Sequence, residues 1–321
     1  MALPQSLAVL GLTALKVFFM AQGSHSSWKI LLTGGSGFIG RNILESYLGA
    51  KYQLVAPSHA VLDLGDGAAV DRFWQDKQFE VVIHAATKPG HRNAPDPDHI
   101  LAANLLYLEN LLRHQDKFKK FIHLGSGAIY DLSLGHHQVT EDQIGRHLSA
   151  NQTTLSKYII QQRLKSLPAA VDLNIFGIFG KYEDWQIRFI SNAICKALYR
   201  LPITLRQNRR FSYLYIDDLM PILDFFIQDQ RTGFATYNVT PPGYVELLQV
   251  AQLVQRLGPY PVEIKLGQTG YGLDYNGDST HLRQTIGNLK FTPLEDAIKC
   301  LFAYYKIHLD QIDRQALLFD K

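Results

Sequence analysis

The stretch Lys29-Ile-Leu-Leu-Thr-Gly-Gly-Ser-Gly-Phe-Ile-Gly-Arg-Asn-Ile43 decides the fold of this chain. It begins with an apolar run, passes through glycines at Gly34, Gly37 and Gly40, and continues with apolar residues at helical spacing. This pattern predicts a strand, a tight turn and the start of a helix. Gly34 permits the turn, Gly37 lets the backbone approach a pyrophosphate, and Gly40 lets the helix lie close to the sheet. Because free N–H groups at a helix N-terminus bind anions, the stretch favours a dinucleotide site over an ordinary glycine-rich turn.

Strands and helices are predicted to alternate after this stretch, with short connections. The predicted helices cover about 40–48, 68–76 and 100–115, and the predicted strands cover 52–56, 80–86 and 121–124. Residues 81–86 read VVIHAA, a run typical of a parallel strand that is covered on both faces. We interpret His84 within it as a packed strand residue and not as a catalyst. The alternation predicts an α/β fold with a Rossmann-type, doubly wound parallel sheet.

Composition and charge restrict the classes of function. The chain has 321 residues and a formal net charge of +3 without a long basic run, so nucleic acid is not expected as a partner. Cys195 and Cys300 lack metal-like spacing, and we expect two buried, reduced thiols in a cytoplasmic protein without a metal site. Residues 1–28 are expected to be a leader or another segment extraneous to the fold. Lys16 interrupts their apolar run and no basic residue precedes it, which disfavours a membrane span.

The end of the second predicted strand bears on the choice of cofactor. An Asp or Glu there would bind the ribose hydroxyls of a dinucleotide, but Pro57, Ser58 and His59 occupy these positions. No carboxylate repels a 2′-phosphate, while Ser58, His59 and Arg41 can donate to one. The sequence therefore favours NADP, and NAD remains an alternative if a more distant group selects the cofactor.

Several motifs follow one another in a fixed order between residues 33 and 219. They are TGGSGFIG at 33–40, LDL at 62–64, VVIHAA at 81–86, Asn104, GSGAIY at 125–130, LSKY at 155–158, LNIFG at 173–177 and YLYIDDL at 213–219. As a set they resemble the extended short-chain dehydrogenase/reductase superfamily, in its NAD-dependent epimerase/dehydratase branch. Within that branch they are similar to the GDP-fucose synthase-like reductases and epimerases.

The resemblance implies an architecture, a substrate class and two sets of binding residues. A smaller, mainly C-terminal lobe, formed by 177–210 and 243–321, would bind a nucleotide sugar, and a strand near 235–240 would return to the sheet of 29–176. The branch also allows a homodimer. The substrate would contact Asn174, Asn192 and Arg210. The cofactor would contact Gly34, Gly37, Phe38, Ile39, Gly40, Arg41, Ser58, His59, Asp63, Leu64, Ala85, Ala86, Thr87, Asn104 and Lys157.

The catalytic residues implied by the resemblance include one departure. In the family a Ser or Thr, a Tyr and a Lys act together, and the Tyr precedes the Lys by four residues. Ser126 and Lys157 match the serine and the lysine, but Thr153 stands in the tyrosine slot. An aliphatic alcohol is much less acidic than a phenol, so Thr153 could at best hold a water or the sugar.

Two tyrosines and one different kind of function remain as alternatives. Tyr158 points about 100° away from Lys157 around the helix, and Tyr130 would have to reach from another loop. The chain is therefore either a nucleotide-sugar oxidoreductase or epimerase with altered proton transfer, or a family member that binds its ligands without turnover.

Overall fold

The computed structural model describes residues 28–88 and 99–318. Apart from Trp28, the expected leader at 1–28 lies outside the described residues, as does most of the loop that follows the third strand. Fourteen strands are present in the described ranges: β1 (Lys29–Thr33), β2 (Gln53–Val55), β3 (Phe79–His84), β4 (Phe118–Ser126), β5 (His136–Val139), β6 (Ala169–Ile175), β7 (Ile178–Phe179), β8 (Ile203–Asn208), β9 (Arg210–Phe211), β10 (Leu214–Tyr215), β11 (Gly233–Val239), β12 (Val245–Glu246), β13 (Ile264–Tyr271) and β14 (Tyr275–Gly277).

Ten α-helices accompany these strands in the same ranges: α1 (Phe38–Glu45), α2 (Tyr47–Lys51), α3 (Gly67–Trp74), α4 (Ile100–Leu112), α5 (Gln152–Leu164), α6 (Phe189–Leu198), α7 (Leu219–Gln228), α8 (Leu247–Leu257), α9 (Thr280–Ile286) and α10 (Leu294–Ile307). The single helix predicted at 40–48 is in fact two. The chain is extended at Ser46, whose side chain accepts a hydrogen bond from the N–H of Leu48 and so caps α2.

The main sheet has six parallel strands in the order β11-β6-β4-β3-β1-β2. Alternate residues of its strands enter different cores, because successive side chains of a strand point to opposite faces. Ile30 and Leu32 pack in one core with residues of α1, α7 and α9. Leu31 packs in the other with residues of α3, α4 and α5. This confirms the doubly wound parallel sheet predicted from the sequence.

A smaller body of structure is formed by β5 together with most of the chain after β6. It contains a four-stranded sheet in the order β12-β9-β14-β5 and the pairs β13-β8 and β10-β7. Residues of α6, α8 and α10 share a separate apolar core there. Strand β11 leaves this region and pairs in parallel with β6 at the edge of the main sheet. The division of the chain at residue 177 stays a prediction.

Two further expectations concern the cysteines and the membrane. Cys195 is buried, but the expectation of a second buried thiol is wrong, because Cys300 is exposed on α10. The apolar face of that helix is formed by Ala297, Ile298 and Leu301, and Cys300 lies off it. Among the helices in the described ranges, none is long and apolar enough to cross a membrane. The same ranges hold no cluster of three or more His, Cys, Asp or Glu side chains that would suit a metal ion.

Candidate active site

The glycine-rich turn connects β1 to α1 at the carboxyl edge of the main sheet. Gly34 has a φ of +72°, and its carbonyl oxygen accepts a 3.0 Å hydrogen bond from the N–H of Gly37. No side chain caps the N-terminus of α1, where Phe38 and Ile39 form the first turn. A Cβ on Gly40 would overlap the carbonyl oxygen of Gly34. The turn therefore forms a close-fitting cradle of backbone groups, which fits a dinucleotide pyrophosphate.

Replacing Gly40 by alanine is expected to damage this cradle. The added methyl would collide with backbone atoms of Gly34 and Gly35, and such overpacking costs about 1–3 kcal/mol. We expect a lower melting temperature and at least tenfold weaker NADPH binding, measured by thermal unfolding and cofactor fluorescence. Gly258→Ala is the matched control, because its Cβ would lie 3.2 Å from its nearest neighbour, the Val254 oxygen. NADPH binding that survives in the Gly40 variant would contradict the assignment of the turn.

The edge of β3 adds a second group of predicted cofactor residues. Ala85 and Ala86 follow β3 directly, and the N–H of Ala86 donates to the hydroxyl of Thr33 at 3.3 Å. The amide oxygen of Asn104 on α4 accepts from the backbone N–H of Lys88 at 2.7 Å and from the hydroxyl of Thr87 at 3.1 Å. Asn104 thus fixes the chain just after β3, beside the glycine-rich turn.

Ser126 and Lys157 approach this edge from two other elements. Ser126 ends β4, and its Oγ accepts a 3.1 Å hydrogen bond from the N–H of Ala128, which leaves its own hydrogen for another acceptor. Helix α5 begins after Asn151, whose side chain accepts from the N–H of Thr154 at 3.1 Å. It packs against the turn that follows Ser126. The Nζ of Lys157 lies 3.4 Å from the Thr87 hydroxyl, so β3 and α5 converge on one place.

The three candidates for a proton donor have different surroundings. Thr153 is half-buried in the first turn of α5. Tyr130 is buried and donates to the amide oxygen of Asn238 at 2.9 Å, and burial raises the pKa of its phenol far above the ordinary value. The ring of Tyr158 packs on Gly145. Burial and the hydrogen bond to Asn238 make Tyr130 a poor replacement for the missing tyrosine.

The predicted adenosine end of the cofactor site lies in the loop after β2. Ser58 and His59 are exposed, and the Nε2 of His59 lies 3.4 Å from a carboxylate oxygen of Asp63. That oxygen also accepts from the N–H of Gly65 at 2.8 Å, and the neighbouring Leu64 is buried. The sequence places no carboxylate at the strand end, but the fold brings Asp63 to His59.

Arg41 faces another neighbour than the 2′-phosphate suggested by the sequence. Its guanidinium lies 3.7 Å from the centre of the Tyr182 ring, where both residues line a cavity of about 410 Å³ with Trp185 and Tyr304. Donation to a 2′-phosphate by Ser58 and His59 stays a prediction.

Two of the three predicted substrate residues form hydrogen bonds to other residues of the protein. Asn174 is fully buried in β6 and donates to the Thr236 hydroxyl at 2.9 Å, while its amide oxygen has no partner. Asn192 on α6 donates to the carbonyl oxygens of Trp185 and Gln186, each at 3.2 Å. Asn192 therefore stabilises the loop that precedes α6.

The third predicted substrate residue, Arg210, is turned away from its neighbour Phe211 by the alternation of strand β9. Its guanidinium lies 5.4 Å from the Tyr244 ring and 5.2 Å from the Tyr271 ring, and it approaches Asp274 at 3.4 Å. Phe211 is buried and lies 4.9 Å from the Tyr275 ring. Arg210 and Phe211 therefore point to opposite faces of β9, and a contact between Arg210 and the substrate stays a prediction.

Tyr275 is a neighbour of the Ser126 turn that the sequence does not indicate. Its hydroxyl would lie 2.7 Å from a Cβ on Gly127, as would the ring of Phe176. Position 127 therefore has room only for glycine. The signal in the sequence was Gly127 itself, but nothing in the chain order connects it with residue 275.

The fold and this edge of the sheet together define a dinucleotide-binding α/β protein. Comparison with known families goes further: the model of the NAD dependent epimerase/dehydratase family matches residues 30–240. The chain therefore belongs to the NAD dependent epimerase/dehydratase family. This confirms the resemblance that the motifs indicated.

Two curated relatives are named for sugar-nucleotide synthases. GDP-L-fucose synthase 1 of Arabidopsis thaliana is 33% identical over 268 residues, which cover 76% of this chain and 81% of that protein. GDP-L-colitose synthase of Yersinia pseudotuberculosis is 26% identical over 226 residues, covering 63% of this chain and 72% of that protein.

Two solved structures share the fold at low sequence identity. A GDP-L-fucose synthetase from Naegleria fowleri bound to NADP superposes with a TM-score of 0.77 at 16% identity, covering 89% of this chain and 96% of that one. A GDP-mannoheptose C4 reductase from Campylobacter jejuni with NADP bound gives a TM-score of 0.75 at 18% identity, covering 88% and 100%. These superpositions show the fold.

Proposed function

We propose that this protein is an NADP-dependent oxidoreductase or epimerase that acts on a nucleotide diphosphate sugar. The observation that carries the proposal is the convergence of the glycine-rich turn, the Thr87 and Asn104 pair, and Lys157 at the edge where β4 ends in Ser126. The names of the curated relatives support a sugar linked to GDP as the first substrate class to test.

The residues have distinct expected roles in this chemistry. When bound, the nicotinamide would supply or accept the hydride. Ser126 would donate its free hydrogen to the sugar oxygen at the reacting carbon. Lys157 would hold a positive charge at the nicotinamide ribose. Thr153 would bind a water or the sugar, because its hydroxyl cannot titrate near neutral pH.

The proposal is tested by a substrate scan. Purified protein with NADPH or NADP⁺ is mixed with GDP-, UDP-, dTDP- and CDP-sugars and their 4-keto forms, and the nicotinamide absorbance is followed. Products are also separated by chromatography, because an epimerisation leaves the net absorbance unchanged. Turnover of a GDP-linked sugar is expected. Silence across the whole set, with bound cofactor demonstrated, would reject the proposal.

A second candidate function is ligand binding without turnover. It is favoured by Thr153 in the tyrosine slot and by the burial of Tyr130. In that case the protein would use the fold as a binding module, and Lys157 variants would lose cofactor affinity with no reaction to lose. Any turnover that disappears in a Ser126 variant would reject this second function.

NADPH is expected to bind more tightly than NADH. Ser58 and His59 can donate to a 2′-phosphate, and removing one such hydrogen bond costs about 1 kcal/mol, or roughly fivefold in affinity. His59→Ala should therefore narrow the NADPH preference by that factor in fluorescence titrations at one ionic strength. His137→Ala is the control, because His137 is also exposed and paired with an aspartate, Asp274 at 3.0 Å. Equal binding of the two cofactors to the unmodified protein would contradict the prediction.

A further inference from the structure

A row of polar side chains crosses the centre of the main sheet. Thr33, His84, His123, Asp172 and Thr236 occupy matched positions on β1, β3, β4, β6 and β11. The first four are almost completely buried, and Asp172 is only 1% exposed. A polar row at this depth in an apolar sheet is costly unless its members bond to one another.

Hydrogen bonds and ring stacking connect most of this row. The Oγ1 of Thr33 lies 2.8 Å from the Nδ1 of His84, and the rings of His84 and His123 stack with centroids 5.7 Å apart. The Nδ1 of His123 lies 2.7 Å from the Oδ1 of Asp172. The row thus extends from the residue before the glycine-rich turn to a buried carboxylate.

Helix α5, which carries Lys157, also contacts the row through Gln161. The Nε2 of Gln161 donates to the Oδ2 of Asp172 at 3.0 Å and to the Thr236 hydroxyl at 3.1 Å. Gln161 follows Lys157 by four residues, so both side chains lie on the same face of the helix. Asp172 also lies against Gly125, one residue before Ser126. The carboxylate is therefore held by Gln161, one helical turn from Lys157, and lies against the residue before Ser126.

The charge of Lys157 needs a partner in this environment. Lys157 is 8% exposed, and burial lowers the pKa of its ammonium, while the negative charge of Asp172 acts to raise it. Uncompensated burial can shift a lysine by several pKa units. In the family a tyrosine lies beside this lysine, and its phenol can ionise to give a neighbouring negative charge. Thr153 occupies that position here, and its hydroxyl does not ionise.

We propose that Asp172 is a positioning residue, whose carboxylate, fixed by His123 and Gln161, keeps the buried ammonium of Lys157 charged and aimed at the cofactor site. The inference rests on the proposed function, because it assumes that Lys157 binds the nicotinamide ribose. The other titratable groups near the pair are His84, His123 and Tyr130. Burial and the charge of Lys157 both lower the pKa of His84. Burial and the charge of Asp172 both raise the pKa of Tyr130.

The test is the pH dependence of NADPH binding to Asp172→Asn, followed by cofactor fluorescence. The amide keeps the shape and removes the charge. Because the anion stabilises the protonated lysine, its loss lowers the pKa of Lys157, and binding should then fail at a lower pH. We expect the alkaline midpoint of binding to move down by about one pH unit or more. Lys157→Met should bind weakly and lose this alkaline transition.

A matched control distinguishes the effect of losing the Asp172 charge from the effect of losing a buried carboxylate elsewhere in the protein. Asp218 is also buried, at 7% exposure, and accepts hydrogen bonds from the N–H and hydroxyl of Thr292. Asp218→Asn should leave the alkaline midpoint unchanged. If Asp172→Asn does not fold, the double variant His123→Leu, Asp172→Leu removes the same charge without leaving one member of the pair alone.

The outcomes distinguish this inference from the proposed function. A midpoint in the folded Asp172 variant equal to that of the unmodified protein would overturn the role of Asp172 and leave the proposed function intact. An unmodified protein that binds no nicotinamide cofactor would overturn both. A downward shift confined to the Asp172 variants supports the inference whether or not a sugar substrate has been found, because the readout is binding.

Discussion

Ser126→Ala is expected to lower kcat/KM by about 10²–10³-fold on any accepted sugar, the usual effect of removing one donor to a reacting oxygen. Thr153→Val should lower it less than tenfold. The Oγ of Ser126 is oriented by the N–H of Ala128, so its hydrogen is available to the substrate. Thr153 can contribute only by holding a water or the sugar.

The two variants are matched, because each deletes one hydroxyl and valine keeps the shape of threonine. The expected decreases in kcat/KM correspond to losses of transition-state stabilisation of about 3–4 kcal/mol for Ser126→Ala and less than about 1.4 kcal/mol for Thr153→Val. Cofactor affinity, measured separately, should change little in either. If Thr153→Val is as inactive as Ser126→Ala, Thr153 takes part directly and the division of roles is wrong.

The main sheet was predictable because its signals are local. Strands β1 and β3 are mostly apolar runs, and the spacing of the glycines in the first turn can be read directly from the sequence. The strands of the smaller body were not predicted individually, because β7, β9, β10 and β12 have only two residues each. Such strands have no period to detect, and their pairing depends on contacts between distant parts of the chain.

The candidate site was predictable only in part, for the same physical reason. The motifs identify Ser126 and Lys157, but the direction of Arg210 depends on the register of β9, where one residue of shift exchanges the two faces. The contact of Arg41 with Tyr182 joins residues 141 positions apart. Asp172 reads as one polar residue in a strand, and only the register of five strands shows that it belongs to a row.

Lys157→Met is expected to have the largest effect of all the substitutions. Loss of a charge-assisted hydrogen bond costs about 1.5–3 kcal/mol, so NADPH should bind about 10- to 150-fold more weakly. If Lys157 also assists the proton transfer, kcat/KM should fall by about 10³-fold or more, within the range of acid–base groups. Fluorescence titration and steady-state rates measure the two effects separately.

Lys120→Met provides the control for removing a buried lysine. Lys120 is 7% exposed, but its Nζ donates to the backbone carbonyl oxygens of Phe226 and Asp229, on α7 and just after it. Its loss should lower the melting temperature and leave NADPH affinity unchanged. Lys157→Met should show the reverse, because a methionine of similar length can fill the space while the charge at the cofactor site is lost. If both variants lose stability and neither loses affinity, Lys157 is a packing residue and the cofactor must be held by the glycine-rich turn and β3 alone.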